Sequence, residues 1–198
     1  MAQIAEIIKY EGDNSTFIWK HPSEDFNSLT QLIVHESQEA IFFMNGQALD
    51  LFGPGRYTLE TQNIPKLGKL LNRTTGGDTP FHCEVYFINK TEQMSVKWGT
   101  DSKVQYIEPT YGFPISIGAS GEMSLRVEDS RKLLLKLVGT ESFLGQQKLV
   151  SFFRAFLMTR VKTYMAQYMK NNTVSIFEID EHLTAFSESL HTQLTPDF

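Results

Sequence analysis

The run LIVHESQEAIFFMNGQALDLFGPGRYTLET, from Leu32 to Thr61, constrains the fold more than any other part of this 198-residue chain. Leu32–Val34 and Ala40–Met44 are β-type runs that lead into Asn45-Gly46, and a third run, Ala48–Phe52, follows at once. Asn-Gly accepts the positive φ angles of a tight hairpin, so the runs on either side of it are expected to pair antiparallel. Gly53-Pro54-Gly55 then imposes a second, rigid turn, after which Arg56-Tyr57-Thr58-Leu59 resumes an extended pattern.

Strand and turn signals continue to about residue 128. Thr79–Asn89 and Met94–Thr100 read as a long hairpin around Lys90-Thr91-Glu92-Gln93, and Val104–Ile107 stops at Pro109. Gly112–Ala119 and Glu122–Glu128 are expected to pair across Ser120-Gly121. Beyond Val127 the period becomes helical. Asp129 or Ser130 can cap a helix to about Val138. A long helix follows over about Gln146–Lys170, its apolar stripe drawn through Leu149, Phe153, Phe156, Leu157, Val161, Tyr164 and Tyr168. A third spans about Glu178–Gln193, carries Ile179, Leu183, Phe186 and Leu190 on one face, and opens with Ser175 and Glu178 at capping-box spacing. Strands followed by helices predict an α+β fold, an antiparallel β-rich first half packed with a helical second half. The expected parts are 1–28, an N-terminal segment (short amphipathic helix or strand); 29–128, the β-rich part; and 129–198, the helical part. In the first segment Ile4, Ile7 and Ile8 fall at helical spacing. They either dock on the body or, with Phe17 and Trp19, make a membrane-surface anchor.

Composition narrows the function. A net charge of -5 gives no general attraction to nucleic acid. The one cysteine, Cys83, sits in a strand-like alternation and reads as a core residue, leaving no internal disulfide and no multi-cysteine metal site. His21, His35, His82, His182 and His191 show no metal-ligand spacing, so no metal or cofactor is expected. Carboxylate pairs such as Glu24/Asp25, Glu128/Asp129 and Asp180/Glu181 fall on loops or helix starts, where capping and dipole roles explain them. An enzyme would need His82, Glu84 or Asp78 to converge in a cleft, and no nucleophile and base are paired in the sequence. The opening residues MAQIAEIIKYEGD lack a basic region followed by an apolar core, and no long apolar run follows, so the expectation is a cytoplasmic protein.

The hairpin and Pro-Gly turn, from Glu36-Ser37-Gln38 to Gly53-Pro54-Gly55-Arg56, resemble the opening strands of the band 7 family, also called SPFH (stomatin, prohibitin, flotillin). The order of helices from Glu128-Asp129 to Leu190 extends that resemblance across nearly the whole chain. Thr61-Gln62-Asn63-Ile64-Pro65, Val85-Tyr86-Phe87-Ile88-Asn89-Lys90, Lys97-Trp98-Gly99-Thr100 and Leu137-Val138-Gly139-Thr140 look more narrowly like its bacterial virion-core-protein-like subfamily. The resemblance implies a non-enzymatic scaffold, peripheral at the inner face of the cell membrane, that forms homo-oligomers and recruits other membrane-associated proteins. A cytosolic regulatory or adaptor subunit of a membrane protease or stress-response complex is the alternative. It also implies that the chain stops before a further strand, a longer helix and a zinc ribbon.

Charge placement gives an independent indication. Ser142–Phe177 holds five basic residues, Lys148, Arg154, Arg160, Lys162 and Lys170, and no acid. Asn171–Phe198 holds five acids, Glu178, Asp180, Glu181, Glu188 and Asp197, and no Lys or Arg. At about 100° per residue, Lys148, Lys162 and Lys170 share one polar face of the long helix. That face is expected to meet a partner or anionic lipid, and Glu178, Asp180, Glu181 and Glu188 are expected to be oligomer-contact acids. A solvated face is the simpler account of the same charges. Arg160 falls in the apolar stripe, as a buried charge that needs a carboxylate or carbonyl partner.

Overall fold

The structure, a computed structural model, describes residues 6–13, 16–60, 63–74, 81–137 and 143–197. The chain divides into two compact units, one within Met1–Met94 and Ser124–Lys148, the other within Ser95–Met123 and Leu149–Phe198. The boundary therefore does not fall at residue 128. Residues 95–123, expected with the β-rich half, pack with the long helix instead.

In the first unit the strands are β1 (Ile7–Lys9), β2 (Thr16–Lys20), β3 (Asp25–Phe26), β4 (Gln31–Val34), β5 (Gln38–Met44), β6 (Gln47–Phe52) and β7 (Gly55–Thr58). Helix α1 (Pro65–Thr74) precedes β8 (Phe81–His82) and β9 (Glu84–Asn89). Asn45 (φ 50°) and Gly46 (φ 76°) close the β5–β6 hairpin as their sequence requires. The Gly-Pro-Gly turn has a different task. It passes the chain from β6 to β7, which pairs with β4 in a separate sheet of order β1-β4-β7. Tyr57 holds this turn by donating to the carbonyls of Gly53 (3.1 Å) and Pro54 (3.2 Å). A Cβ on Gly55 (φ 147°) would meet that ring at 3.2 Å. The adjacent Arg56 is exposed and reaches Gln31 (3.2 Å).

β9 lies between β5 and β2 in the five-stranded sheet, so both its edges are paired and the hairpin expected with Met94–Thr100 does not form. Ala40 faces Phe87 and Phe42 faces Val85 across the ladder, and all four enter one core with Leu32 and Val34 of β4 and Ile8 of β1. The intervening Ile41, Phe43, Tyr86 and Ile88 are buried too, which is why these strands read as unbroken apolar runs. Of the helix or strand expected in the N-terminal segment, residues 7–9 form a strand, parallel to β4. Ile8 enters the core, Ile7 is exposed, and Ile4 lies outside the described residues.

Pro65 at the first helical position of α1 was the signal for a helix that the apolar pattern did not reveal. Asp50, buried on β6, caps it from a distance, accepting the amides of Lys66 (3.2 Å) and Leu67 (2.8 Å). Asp50→Ala should cost about 1–2 kcal/mol, read as a lower urea midpoint with an unchanged slope. Helix α2 spans Ser130–Leu137 and is capped by Asp129, which accepts the Lys132 amide (2.9 Å). Its Ser130 donates to Glu39, and its Arg131 donates to the carbonyls of Ala48 and Leu49, fixing the helix to β5 and β6.

The second unit pairs β10 (Gln93–Gly99) with β13 (Ser120–Leu125) and β11 (Val104–Ile107) with β12 (Pro114–Ile117). Ser120-Gly121 is thus strand interior, not a turn. Gly121 is small because Trp98 lies over it, 3.1 Å from where a Cβ would sit. Strand β14 (Phe143–Gly145), which belongs with β2 to the first unit and pairs with it there, leads directly into α3 (Gln146–Asn171); in the second unit a 3-10 turn (Ile179–His182) opens α4 (Leu183–Leu194).

Candidate functional site

Methionines set the buried side of α3. Leu157, Met158, Val161, Met165 and Met169 face inward, while Tyr164 and Tyr168 are only half-buried. The seam is therefore rotated by roughly a quarter turn from a stripe drawn through the aromatic residues. Arg160 consequently stands exposed, which corrects its expected burial; it still makes an interaction of its own. Leu157, Met158 and Val161 pack with Leu190 of α4, and Met165 and Met169 pack with Val174 and with Val104, Tyr106 and Ile117 of the β11–β12 hairpin.

Tyr106 closes the end of α3 by donating to the carbonyls of Met169 (3.2 Å) and Val174 (2.9 Å). Beyond it, Thr173 (φ 52°) turns the chain out of the helix, and Gly112 (φ 72°) turns the tip of the hairpin. Glu108 binds these two turns together. It is completely buried, and its carboxylate accepts Ser175 Oγ (2.7 Å) on one oxygen and the Tyr111 amide (2.6 Å) on the other. Burial pushes the Glu108 carboxyl up, but hydrogen bonds from Ser175, Tyr111 and Thr110 outweigh it and hold the group below its ordinary range. Ser175 is therefore a partner of Glu108. The capping box expected from its spacing to Glu178 is absent: Ser175 Oγ accepts the Phe177 amide (3.4 Å), and the helical turn begins only at Ile179, with Glu178 at its N-cap.

The outward side of this brace is aromatic. Tyr111 is 68% exposed and Phe177 72%, and their rings meet edge to face at 5.7 Å. Phe113 stacks on Tyr111 at 6.4 Å, and Ile107 is exposed beside them in sequence. Three rings from two loops make a surface feature that the unit does not need for its own packing. The sequence carried one overlooked signal. Residues 104–118 contain a single charged residue, Glu108, yet hold two tyrosines, one phenylalanine and three isoleucines.

Acids flank the rings. Glu178 follows Phe177 directly, Asp180 and Glu181 lie in the 3-10 turn, Glu188 is on α4, and all four are exposed. On α3, Lys170 is exposed, and Lys148 lies on the helix with its side chain outside the described part. Lys162 is half-buried and already engaged, pairing with Asp101 (2.8 Å) and Ser102 Oγ (3.0 Å). No ion pair among the described residues joins the four acids to Lys162 or Lys170.

In the first unit Cys83 is buried, and burial, with Glu24 and Glu84 nearby, raises its thiol well above the ordinary range. His82 and Glu84 do meet in one network, whereas Asp78 lies outside the described residues. His82 contacts Asp25 (3.0 Å) and Glu24 (3.1 Å), and Lys20 bridges Glu24 (2.5 Å) and Glu84 (2.6 Å). The network joins β8 to β3 and includes the Tyr86 hydroxyl, which donates to Glu84 (3.1 Å). The Asp25 hydrogen bond, against partial desolvation and aided by Glu24 and Glu84, raises the His82 pKa. A raised folded pKa stabilises fully below about 6.5 and fades as pH rises through the folded value. His82→Asn should therefore flatten the dependence of melting temperature on pH between about 6 and 8, with only a small change in its magnitude.

An α+β protein whose distinctive surface is an aromatic tip flanked by charge, with no metal-ligating cluster among the described residues, has the features of an interaction module. The chain belongs to the SPFH domain-Band 7 family, whose model matches residues 17–198. That family is in general one of membrane-associated scaffolding proteins. The match reaches the family and does not extend to the virion-core-protein-like subfamily. The chain is also similar to the uncharacterised protein YdjI of Bacillus subtilis (strain 168), at 28% identity over 203 residues. That alignment covers 98% of this chain and 61% of the relative, so the chain spans about three fifths of that protein's length. No solved structure matches. No helix among the described residues is long and apolar enough to cross a membrane.

Proposed function

We propose that this chain is the assembling part of a non-enzymatic scaffold, held peripherally at the inner face of the cell membrane, which forms homo-oligomers and recruits other membrane-associated proteins. The observation that carries the reading is the division of charge within the second unit. A helix with basic residues and no acid precedes a segment with acids and no Lys or Arg, and among the described residues no ion pair joins Lys162 or Lys170 to Glu178, Asp180, Glu181 or Glu188. A surface that leaves such complementary faces unmatched can match them between copies. Because the two faces differ, the contact is heterologous and propagates into a ring or a filament.

Within the polar face of α3, Lys170 is the exposed lysine among the described side chains, and Lys148 joins it by its helical spacing in the sequence. Lys162 serves chiefly to hold Asp101 and the loop before β11. Two lysines offer anionic lipid only weak attraction, about 1 kcal/mol each, so lipid contact is secondary to protein contact. The test is reciprocal charge reversal. A Glu178→Lys/Asp180→Lys/Glu181→Lys variant and a Lys148→Glu/Lys170→Glu variant should each lose self-association alone and associate with one another when mixed. If each reversed variant associates alone as the parent does, the reading fails. Flotation on vesicles with and without anionic lipid tests the membrane half, and loss of all flotation by the parent even with partner membrane proteins present would contradict it.

A further inference from the structure

We infer that Tyr111, Phe113 and Phe177 are the apolar centre of the contact between copies, seated on the basic side of α3 in the next copy with Glu178, Asp180 and Glu181 as its rim. This rests on the self-assembly reading above and says where its affinity resides. Four observations converge on it.

The rings are presented on a rigid base. Glu108 ties the turn that carries Tyr111 to the loop that carries Phe177, so docking them orders little that is not already ordered. Their exposure, with an edge-to-face and a stacked contact between them, gives the centre-and-rim anatomy of a protein interface, in which a few aromatic side chains dominate and charges surround them. The charge beside the rings is acidic, since Glu178 adjoins Phe177 and Asp180 and Glu181 follow in the next turn. That rim repels an anionic bilayer and fits a basic protein surface. Finally, α3 supplies such a surface within the same chain, with Arg160 and Lys170 exposed and no acid anywhere along it.

The experiment uses the full 198-residue chain. Tyr111→Ser/Phe177→Ser removes two exposed rings and leaves every buried residue in place, and an unchanged melting curve checks this. Sedimentation velocity should show self-association weakened by about 30-fold or more, the loss typical of an aromatic anchor. Cross-linking locates the contact. A photo-reactive phenylalanine analogue at position 177 should label residues 148–170 of another copy. If the parent assembles and the ring variant assembles equally well, this inference fails while the charge-based reading survives. If the parent does not assemble, both fail. Labelling of a different protein or of added phosphatidylcholine–phosphatidylglycerol vesicles, with none of α3, would also overturn it.

Discussion

Phe42→Ala is expected to destabilise the first unit by about 3–5 kcal/mol, the cost of deleting a fully buried ring from a packed core. Phe42 has no exposure, meets Phe26 and Phe52 edge to face at 6.5 and 5.4 Å, and lies across the ladder from Val85. It is held between the five-stranded and three-stranded sheets, so collapse around the void is limited. Domains of this size are stable by about 5–15 kcal/mol in all, and the variant should lose a large part of that. Urea denaturation followed by tryptophan fluorescence measures it, because Trp19 packs against the same core. Phe177→Ala supplies the control. The same chemical change on an exposed ring should shift the midpoint by no more than about 0.5 kcal/mol.

Glu108→Leu is expected to have the largest effect in the second unit. The variant preserves approximate volume but leaves the Ser175 hydroxyl and the Tyr111 amide without the acceptor they now share. The second-unit melting temperature should fall by about 5 °C or more. The tip should loosen with it, seen by nuclear magnetic resonance as loss of the contacts between the Tyr111 and Phe177 rings. The acid side gives an independent check. Because the carboxylate is held below the ordinary range, its stabilisation is complete above the unfolded value near 4.3 and disappears as pH falls through the folded value. Glu108→Gln should remove that acid-side loss. If its acid melting matches the parent's, the brace is not electrostatic.

The turns at Asn45-Gly46 and Gly53-Pro54-Gly55 were legible in the sequence, and most strand partners were not. Asn45-Gly46 specifies a hairpin because its φ angles allow little else, and the hairpin is there. Gly53-Pro54-Gly55 specifies a turn equally well but not what lies beyond it, and the following strand joins another sheet. For the same reason the strand after Lys90 looked like a hairpin partner of β9, although both edges of β9 are filled by β2 and β5 from far along the chain. Side-chain period fixes which face is buried; it is silent on which neighbour occupies an edge.

The helical half shows a second limit. The extent of α3 was clear from its apolar content, but its buried side followed Met158, Met165 and Met169 in preference to the larger aromatic residues. Flexible, unbranched methionine fills irregular gaps, and tyrosine stays near the surface with its hydroxyl in reach of polar groups. That rotation alone moved Arg160 from core to surface. The aromatic tip was hidden for a related reason. Tyr111, Phe113 and Phe177 look like core residues in sequence, and only the packing beneath them shows that Glu108 occupies the interior while the rings remain outside.

Sedimentation of the unmodified chain tests the central claim most directly, over concentrations from about 1 to 200 μM at low and at high salt. Contacts between an acidic and a basic face weaken as salt screens them. The account predicts a mass that climbs above the 22.6 kDa monomer with concentration at low salt and returns toward it at about 0.5 M salt. A mass fixed at 22.6 kDa under every condition would contradict it.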